Sequence, residues 1–585
     1  MNMNLTMTEM NLVFDIETDD LNATKIHCIV AQDVETKELY KFPPEKLSEG
    51  YALLQSADKL IGHNIIGFDI PMVEKFGNID LSSKSVVDTL VLSRLFNPVR
   101  EGGHSLDSWG HRLKLHKIEF EDYENYSIDM LNYCTRDVQL NALVLERLKK
   151  ESAGFSKDSV YLEHETAKIL KEQEVNGFLF NDKQAELLLA DLRERMFKIE
   201  EEVHQVFKPK LIDIKEVKPV LKKDGTLSKK GLSEEEYNDR VATNDTTPFM
   251  RRKLQDFNLG SRKQIGEYLI EFGWKPKRFT PTGQPIVDEK TLANISNIPQ
   301  ARLIAKFLLL QKRIAQVDSW IEAQREDDRV HGFVIPNGTI TGRMAHRNPN
   351  MAQVPSIKSP FGQECRSCWT VPEGYKLVGI DASSLELRML AHYMNDEEFT
   401  NEIINGDIHT FNQKLAGLKS RDQAKTFIYA LIYGAGDAKL GSVVGGSIQD
   451  GKRLRQHFYD NKLSFKRLGD AVRKVSQQNF INGLDNRKLF VRHSHAALNT
   501  LLQGGGAIVM KRALIMLQSL IKLNTLDARF VANIHDEWQM EVREDIADFV
   551  GERAVGCIVK AGEFYNLRCP MDGEYKIGDN WSETH

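Results

Sequence analysis

Two acidic residues near the N-terminus have a spacing that suits metal chemistry. Asp15 and Glu17 stand two residues apart in the largely apolar segment VFDIET. Residues two apart on a β-strand point to the same face, so both carboxylates would leave the strand together. Two carboxylates on one face can share divalent metal ions. Alone, this short pattern more often marks a solvated turn, so the metal interpretation depends on further acids.

Two more acids occur in contexts that favour the same site. Asp69 closes a glycine-containing turn that begins at Asn64, and Asp137 follows Tyr133 by four residues, which places both on one face of a helix. Four clustered acids would repel one another unless divalent cations lay between them. Two Mg²⁺ ions about 3.5–4 Å apart activate a water and stabilise the leaving oxygen of a phosphodiester. Asp88 lies nearby in VVDTL and is expected to be structural.

A second pair of acids lies in the C-terminal half of the chain. Asp381 ends an apolar segment that predicts a strand to Ile380, and Asp536 lies between two apolar segments that predict a hairpin. Facing each other, the two would form another two-metal site. Glu386 has two interpretations: a site residue, or the last member of a capping box that starts at Ser383.

Four side chains between these acids recur every four residues. Arg421, Lys425, Tyr429 and Tyr433 would drift by only about 40° a step on a helix, so they form one stripe. Two cations followed by two aromatic rings suit a triphosphate at one end and a stacked base and sugar at the other. An ordinary amphipathic surface helix would more often carry acids among such positions.

Apolar periodicity predicts the elements that hold these residues. Strands are expected over residues 11–16 and 27–33, and a helix over 130–150, so the first 155 residues form an α/β domain. An amphipathic stretch follows over 161–206. Residues 208–230 then carry eight lysines against three acids, with prolines and a glycine, which predicts an exposed loop. This loop is either simply solvated, or contacts phosphates or a partner.

Composition excludes several classes of protein. With 585 residues the chain should hold several domains, and a net charge of −5 excludes coating of nucleic acid by bulk charge. The first 150 residues carry 16 Lys and Arg against 24 Asp and Glu. The absence of long apolar runs and of a leader pattern, together with scattered cysteines, predicts a cytoplasmic protein with no membrane partner.

The order of these patterns resembles a known family. The front acids, with spacings DxE, Nx₃FD and Yx₃D, resemble 3'-5' exonucleases that use three Asp, one Glu and a Tyr. The segments around Asp381, the stripe and Asp536 resemble motifs A, B and C of family A DNA polymerases. TGRMAHRNPNMAQVPS and HAALNTLLQGGGA resemble the primer–template contact motifs of the same family. The similarity is greatest to replicative polymerases of short-tailed lytic phages.

The resemblance implies an α/β multi-domain fold, with an RNase H-like 3'-5' exonuclease domain followed by a right-hand polymerase domain. It places the exonuclease in residues 1–158, the thumb in 159–334 with a Lys-rich insertion at about 208–254, the palm in 335–403 and 499–585, and the fingers in 404–498.

The resemblance also implies roles at the polymerase site. Asp381 and Asp536, with the carbonyl of Ala382, would bind two Mg²⁺ ions, for which Mn²⁺ is an alternative. Arg421 and Lys425 would hold the nucleotide phosphates, with Lys425 donating a proton to pyrophosphate.

Further polymerase roles concern the nucleotide and the primer–template. Glu386 matches the steric gate against ribose, Tyr429 the position that governs dideoxynucleotide acceptance, and Tyr433 part of the base-pair pocket. Glu537 is expected to be a minor or structural acid. The implied primer–template contacts are Arg343, Asn499, Gln503 and His535.

For the exonuclease, the resemblance assigns four metal ligands and one positioning residue. Tyr133 would orient the attacking water. The ligands of two Mg²⁺ ions would be Asp15, Glu17, Asp69 and Asp137.

The implied activity is DNA-directed DNA synthesis with proofreading, acting on primer–template DNA and dNTPs. One alternative is a single-subunit RNA polymerase, against which the front acids and Glu386 argue. Another is an exonuclease whose polymerase body only binds DNA. Processivity or replisome proteins are expected partners, but the short insertion argues against dependence on thioredoxin. Because few residues precede the first acids, no 5'-nuclease domain is expected.

Overall fold

The computed structural model describes residues 9–585. The chain folds into two compact units: residues up to Asn181 join Ala323–His585 in the first, and Asp182–Glu322 form the second. Within residues 9–585, no helix combines the length and the apolar composition needed to cross a bilayer.

The N-terminal part of the first unit contains a five-stranded sheet with the order β3-β2-β1-β4-β5. β1 pairs antiparallel with β2 and parallel with β4, which is itself parallel to β5. The strands are β1 (Asn11–Thr18), β2 (Ile26–Asp33), β3 (Leu39–Phe42), β4 (Lys59–Gly62) and β5 (Ser85–Asp88). The helices are α1 (Leu47–Ser56), α2 (Asp69–Gly77), α3 (Thr89–Phe96), α4 (Leu106–Leu113) and α5 (Ile128–Glu151). Both predicted strands and the predicted helix are therefore confirmed.

Alternation along β1 decides where its acids point. Leu12 and Phe14 enter one buried cluster, whereas Val13 joins α5 residues in another on the opposite face. Asp15 and Glu17 have the parity of Val13, and so lie on the face that α5 covers. The strand pattern thus brings both carboxylates toward the helix that carries Asp137.

Two elements follow α5 in the chain. They are α6 (Lys157–Asn176) and β6 (Phe178–Phe180). Gly177, with φ +62°, ends α6, so the predicted amphipathic stretch over 161–206 is two helices rather than one.

The second unit is mainly helical, with one antiparallel hairpin. Its elements are α7 (Asp182–Val206), β7 (Lys210–Val217), α8 (Glu234–Val241), β8 (Phe249–Gln255), α9 (Arg262–Glu271), α10 (Glu289–Ala293) and α11 (Pro299–Ala323). Its core packs the rings of Phe207, Phe257 and Tyr268 together. The prediction of a loop over 208–230 is wrong for its first half, because residues 210–217 pair with a strand about 40 residues later, beyond the range of local pattern.

The remaining elements of the first unit surround a four-stranded antiparallel sheet with the order β16-β17-β13-β18. The strands of this part of the chain, four of which form that sheet, are β9 (Arg329–Val330), β10 (Phe333–Ile335), β11 (Ala345–Arg347), β12 (Trp369–Thr370), β13 (Tyr375–Ala382), β14 (Phe480–Asn482), β15 (Lys488–Phe490), β16 (Ala528–Ile534), β17 (Glu537–Arg543) and β18 (Gly573–Gly578). β13 extends two residues beyond the predicted end, because β17 and β18 pair with it as far as Asp381 and Ala382.

Helices cover this sheet and extend from it. They are α12 (Gly362–Ser367), α13 (Leu385–Met394), α14 (Glu397–Ile404), α15 (Ile408–Ala416), α16 (Arg421–Ile432), α17 (Asp437–Ser442), α18 (Ile448–Asn461), α19 (Leu463–Val475), α20 (Ala497–Leu523) and α21 (Ala547–Phe564). α20 packs against α6, α13 and α21. A Cβ at Gly505 of α20 would lie 2.5 Å from the Met389 side chain, so glycine permits this close packing.

Candidate functional site

The four front acids converge on one end of β1. Asp15 and Glu17 lie on the strand, Asp69 begins α2, and Asp137 lies on α5. Oδ1 of Asp69 accepts a 3.2 Å hydrogen bond from the Ile16 N–H, which fixes that carboxylate beside the strand. Glu17, Asp69 and Asp137 are all buried. The predicted exonuclease ligands are thus brought together.

These acids interact strongly with one another. Burial raises the pKa of Glu17 to about 9 and that of Asp69 to about 7. Burial, and then the charges of Asp69, Glu17 and Asp137, raise the pKa of Asp15 well above its usual range. Among residues 9–585, Oδ1 of Asp137 is buried and has no hydrogen-bond partner. Clustered, buried carboxylate oxygens suit hard divalent cations such as Mg²⁺.

Lys117 is a member of this cluster that the sequence patterns missed. Its Nζ lies 2.5 Å from Oδ2 of Asp137 and 4.7 Å from the centroid of the Tyr133 ring. Burial lowers the pKa of Lys117, but the negative charges of Asp137, Asp15 and Glu17 together raise it by more. The net shift of its pKa is therefore upward. Lys117 lies between α4 and α5 in a segment without periodicity. The one sequence signal for Lys117 is that three acidic residues follow it within five positions, in the segment HKIEFED.

Tyr133 lies at the edge of the acids. Its ring packs against Phe120 and Tyr123, with centroids 5.5 and 6.3 Å away. Burial raises the pKa of its phenol well above the ordinary value, so it stays a neutral hydrogen-bond donor. The next residue, Cys134, places Sγ 3.7 Å from Oδ2 of Asp15.

Asp88 has the structural role that the sequence predicts. It caps α3 by accepting from the N–H groups of Leu90 and Val91, and it also accepts from those of Asn64 and Ile66. The bonds from Asn64 and Ile66 hold the turn that leads to Asp69, and so Asp88 supports the cluster without joining it.

The second pair of acids also meets. Asp381 lies near the end of β13, and Asp536 in the turn between β16 and β17. The Ala382 N–H donates a 3.0 Å hydrogen bond to the Asp536 carbonyl, which ties the turn to the strand. Burial, followed by the charge of Asp536, raises the pKa of Asp381 to about 7, and burial raises the pKa of Asp536. This pair has the same donor chemistry for Mg²⁺ as the first cluster.

The capping-box interpretation of Glu386 is wrong. Ser384 precedes α13 in a left-handed conformation, with φ +52°, and makes no side-chain cap. Glu386 instead accepts from Nη2 of Arg343 at 2.9 Å and from the hydroxyl of Tyr433 at 2.8 Å. Its carboxylate therefore connects the TGR segment to the end of α16.

The predicted stripe lies on α16, with Tyr433 at the helix end. Arg421 and Lys425 are exposed, and Arg421 pairs with Asp407 at 2.7 Å. The rings of Tyr429 and Tyr433 lie 6.3 Å apart, and burial raises the pKa of Tyr429 to about 12. Cations at the start of the helix and aromatic rings at its end match the predicted arrangement.

His409 is a second residue that the sequence patterns missed. It lies on α15, with its ring centroid 6.3 Å from that of Tyr429. Burial, followed by the charges of Arg421 and Lys425, lowers its pKa. An imidazole beside two exposed cations can donate to the same anion. Its only sequence signal is its place two residues after Asp407, the residue that caps α15.

The remaining predicted contacts lie around the Asp536 turn and on α20. His535 has φ +58°, and its ring centroid is 6.1 Å from that of His346. Asn499 and Gln503 are four residues apart on α20, hence on one face. In the described part of the chain, Oδ1 of Asn499 is buried without a hydrogen-bond partner.

Glu537 is structural. Its Oε1 accepts from Nε1 of Trp581 at 2.6 Å and from Nε2 of Gln539 at 2.7 Å, and its Oε2 lies 3.0 Å from Nδ1 of His585. This carboxylate is occupied by protein partners.

Comparisons with known proteins agree with this arrangement. A family model described as DNA polymerase family A matches residues 229–583. The DNA-directed DNA polymerases of Enterobacteria phage T3 and Escherichia phage T7 are each 32% identical to this chain, over 98% of it and all of their own length. DNA polymerase I of Pseudomonas aeruginosa is 28% identical over 57% of this chain and 39% of its own.

A solved structure has a similar fold. The POL domain of Pol1 from M. smegmatis, in complex with DNA primer-template and dNTP, aligns with a TM-score of 0.79 over 99% of this chain and 96% of that one, at 18% identity. Because the family model spans more than half of the sequence and two phage polymerases align along nearly all of it, this chain belongs to DNA polymerase family A.

Proposed function

We propose that this family A polymerase replicates phage DNA and proofreads its product with a separate 3'-5' exonuclease site. The observation that carries the proposal is the presence of two distinct carboxylate clusters, one on β1 and one on β13, each with raised pKa values. A protein that bound DNA without catalysing a reaction on it would need neither cluster. A polymerase without proofreading would not need the first.

The sheets support a domain assignment. The mixed sheet of residues 11–88, covered by α5, would form the RNase H-like exonuclease domain, in residues 1–158. The four-stranded antiparallel sheet would be the palm of a right-hand polymerase domain, with α14–α19 in the fingers. The thumb would lie within residues 159–334.

Two Mg²⁺ ions at each site, when bound, would increase the acidity of the attacking hydroxyl or water and neutralise charge on the leaving group. Asp381, Asp536 and the Ala382 carbonyl would hold them at the polymerase site. The ligands at the exonuclease site would be Asp15, Glu17, Asp69 and Asp137. Both sets fit this chemistry because their carboxylates are buried and repel one another, which raises the pKa values of Asp15 and Asp381.

At the polymerase site, the chain positions a nucleotide for in-line transfer to the primer 3'-hydroxyl. Arg421 and Lys425 would bind the triphosphate, with His409 as a third donor. Release of Arg421 from Asp407 would accompany nucleotide binding, because that exposed pair is weak. Lys425, an ammonium near the leaving pyrophosphate, would donate its proton there.

The same site would select deoxynucleotides. Glu386 is held between Arg343 and Tyr433, so its carboxylate is fixed where the sugar of a nucleotide stacked on Tyr433 would lie. A 2'-hydroxyl would meet a desolvated, fully engaged carboxylate, which disfavours it. Tyr429, one helical turn away, would contact the 3' side of the sugar.

At the exonuclease site, Tyr133 would orient the attacking water. Its neutral phenol can donate a hydrogen bond and accept one. Lys117 holds Asp137 and can offer its remaining N–H groups to the phosphate of the cleaved nucleotide. Arg343, Asn499, Gln503 and His535 are proposed to hold the primer–template at the polymerase site.

One assay tests the proposal. A 5'-labelled primer annealed to a longer template is incubated with the purified protein and Mg²⁺, with and without dNTPs. We expect extension with dNTPs and 3'-to-5' shortening without them, both abolished by EDTA. Extension without shortening would refute proofreading, and shortening without extension would refute polymerisation.

A further inference from the structure

Four charged side chains form a buried group outside both carboxylate sites. Glu163 is on α6, Asp485 lies between β14 and β15, Arg487 immediately precedes β15, and Lys511 is on α20. None of the four is more than 3% exposed. Arg487 pairs with Asp485 and with Glu163, and Lys511 pairs with Glu163. Two acids and two bases make the group electrically neutral.

Lys511 connects this group to the polymerase site. Its Nζ donates to Oε1 and Oε2 of Glu163, at 2.7 and 2.8 Å, and to the carbonyl oxygen of Gly342, at 2.8 Å. An ammonium has three N–H donors, so all three are used. Gly342 has φ +75° and directly precedes Arg343.

The contacts around Gly342 show what the bond between Lys511 and the Gly342 carbonyl holds in place. Arg343 donates to Glu386, which also accepts from Tyr433. Lys511, Arg343 and His535 line one small internal cavity. Glu163 is thus connected to Glu386 by the hydrogen bonds of Lys511, the peptide bond between Gly342 and Arg343, and the hydrogen bond from the Arg343 guanidinium.

Stability alone does not account for such a group. Buried ion pairs cost desolvation, and apolar residues of similar volume often stabilise a fold equally well. What an apolar residue cannot do is hold a particular backbone carbonyl in a directional bond. We infer that Lys511 is a positioning residue of the polymerase reaction: it fixes the Gly342 backbone and thereby sets the guanidinium of Arg343 against Glu386.

The test compares Lys511→Met with Arg512→Met. Arg512 is the next residue of α20, is also buried, and pairs with Asp158, away from Gly342. We expect Lys511→Met to lower kcat/KM for a correct dNTP by about tenfold to a hundredfold, mainly through KM. Arg512→Met should reduce thermal stability to a similar degree and change kcat/KM by less than about threefold. Equal kinetic effects of the two variants would overturn the inference.

A double-mutant cycle tests whether Lys511 acts through Arg343. The single variants Arg343→Ala and Lys511→Met are compared with the double variant. We expect strong non-additivity: once Arg343 is absent, Lys511→Met should add less than about threefold. Full additivity would refute the route through Arg343. If Lys511→Met does not fold, the same cycle is run with Lys511→Leu, which also removes the hydrogen bonds to Glu163 and Gly342.

Ribonucleotide discrimination provides a second readout, which rests on the proposed role of Glu386. Lys511→Met should lower the ratio of kcat/KM for dNTP over rNTP, whereas Arg512→Met should not. Glu386→Ala, measured in parallel, separates sugar selection by Glu386 from positioning by Lys511. If Glu386→Ala leaves the ratio unchanged, the proposed selection by Glu386 is refuted. The double-mutant cycle of Lys511 and Arg343, measured with dNTP, still decides the role of Lys511.

Discussion

The hydroxyl of Tyr433 donates a 2.8 Å hydrogen bond to Glu386, a residue 47 positions earlier in the chain. The other oxygen of that carboxylate accepts from Arg343. Three segments that are distant in sequence therefore meet at one side chain, which lies near the carboxylate of Asp536. This meeting point connects the TGR segment, the start of α13 and the end of α16.

Glu386→Ala should weaken rejection of ribonucleotides. Removing the carboxylate opens space near the sugar and frees Arg343 and Tyr433 to bond a 2'-hydroxyl. We expect the ratio of kcat/KM for dNTP over rNTP to fall at least about tenfold, or ~1.4 kcal/mol. Single-nucleotide extension with each substrate measures it. Glu397→Ala, at the exposed start of α14, is the control and should leave the ratio unchanged.

The two carboxylate clusters should be separable by mutation. Asp381→Asn or Asp536→Asn should reduce synthesis by at least about 10³-fold and leave 3'-end degradation within about twofold, because each metal site loses a charged ligand. Asp15→Ala combined with Glu17→Ala should do the reverse. Extension and degradation of the same labelled primer report both activities. Loss of both activities in either variant would contradict two independent sites.

The free energy of unfolding of the metal-free protein should decrease as the pH rises. Folding raises the pKa of Glu17 from 4.5 to about 9, so the folded protein holds a proton there that the unfolded chain releases above pH 4.5. The free energy of unfolding in EDTA should therefore decrease across that interval, by up to about 1.4 kcal/mol per pH unit for one such group.

Mg²⁺ should reverse this trend, because it binds the ionised acids and its stabilisation grows with pH. Thermal denaturation at pH 5, 7 and 9, in EDTA and in Mg²⁺, measures both effects. Glu17→Gln, which cannot ionise, should have a shallower slope in EDTA. A slope identical to that of the natural chain would show that Glu17 is not the group responsible.

Lys117→Met should destabilise the metal-free protein. The change leaves Asp137 buried without its cation, which costs about 3–5 kcal/mol for a buried pair. Mg²⁺ should restore most of the loss, because it supplies positive charge at the same acids. Lys149→Met, which breaks an exposed pair with Glu146, should change stability by less than about 1 kcal/mol in either condition. An equal loss from Lys117→Met with and without Mg²⁺ would argue against this role.

The hairpin of the second unit should increase processivity by contacting duplex phosphates. Lys210 and Gln255 are paired across it, so residues 211–254 can be replaced by two glycines without opening the fold. We expect shorter products on a long template and an unchanged rate of single-nucleotide addition. Changing the lysines at 218, 222, 223, 229 and 230 to serine should reduce the salt dependence of DNA binding. Unchanged product lengths in both variants would refute the contact.

Local pattern was sufficient for much of this protein. Alternation placed Asp15 and Glu17 on one face, and four-residue spacing placed Arg421 and Tyr429 on one helix face, because these periodicities are properties of the backbone itself. Resemblance to a family supplied the roles. The sequence also predicted that Asp88 would be structural.

Other features depended on contacts between distant segments. Local pattern could not choose between a cap and a site for Glu386, because its partners Arg343 and Tyr433 are each more than 40 residues away; the resemblance to the family favoured the site. The local sequence around Lys117 and His409 gives only a weak signal, and local patterns did not identify Lys511. Their partners are supplied only when strands and helices pack, since hydrogen bonds and buried charges are satisfied by whatever lies nearby in space, irrespective of its distance along the chain.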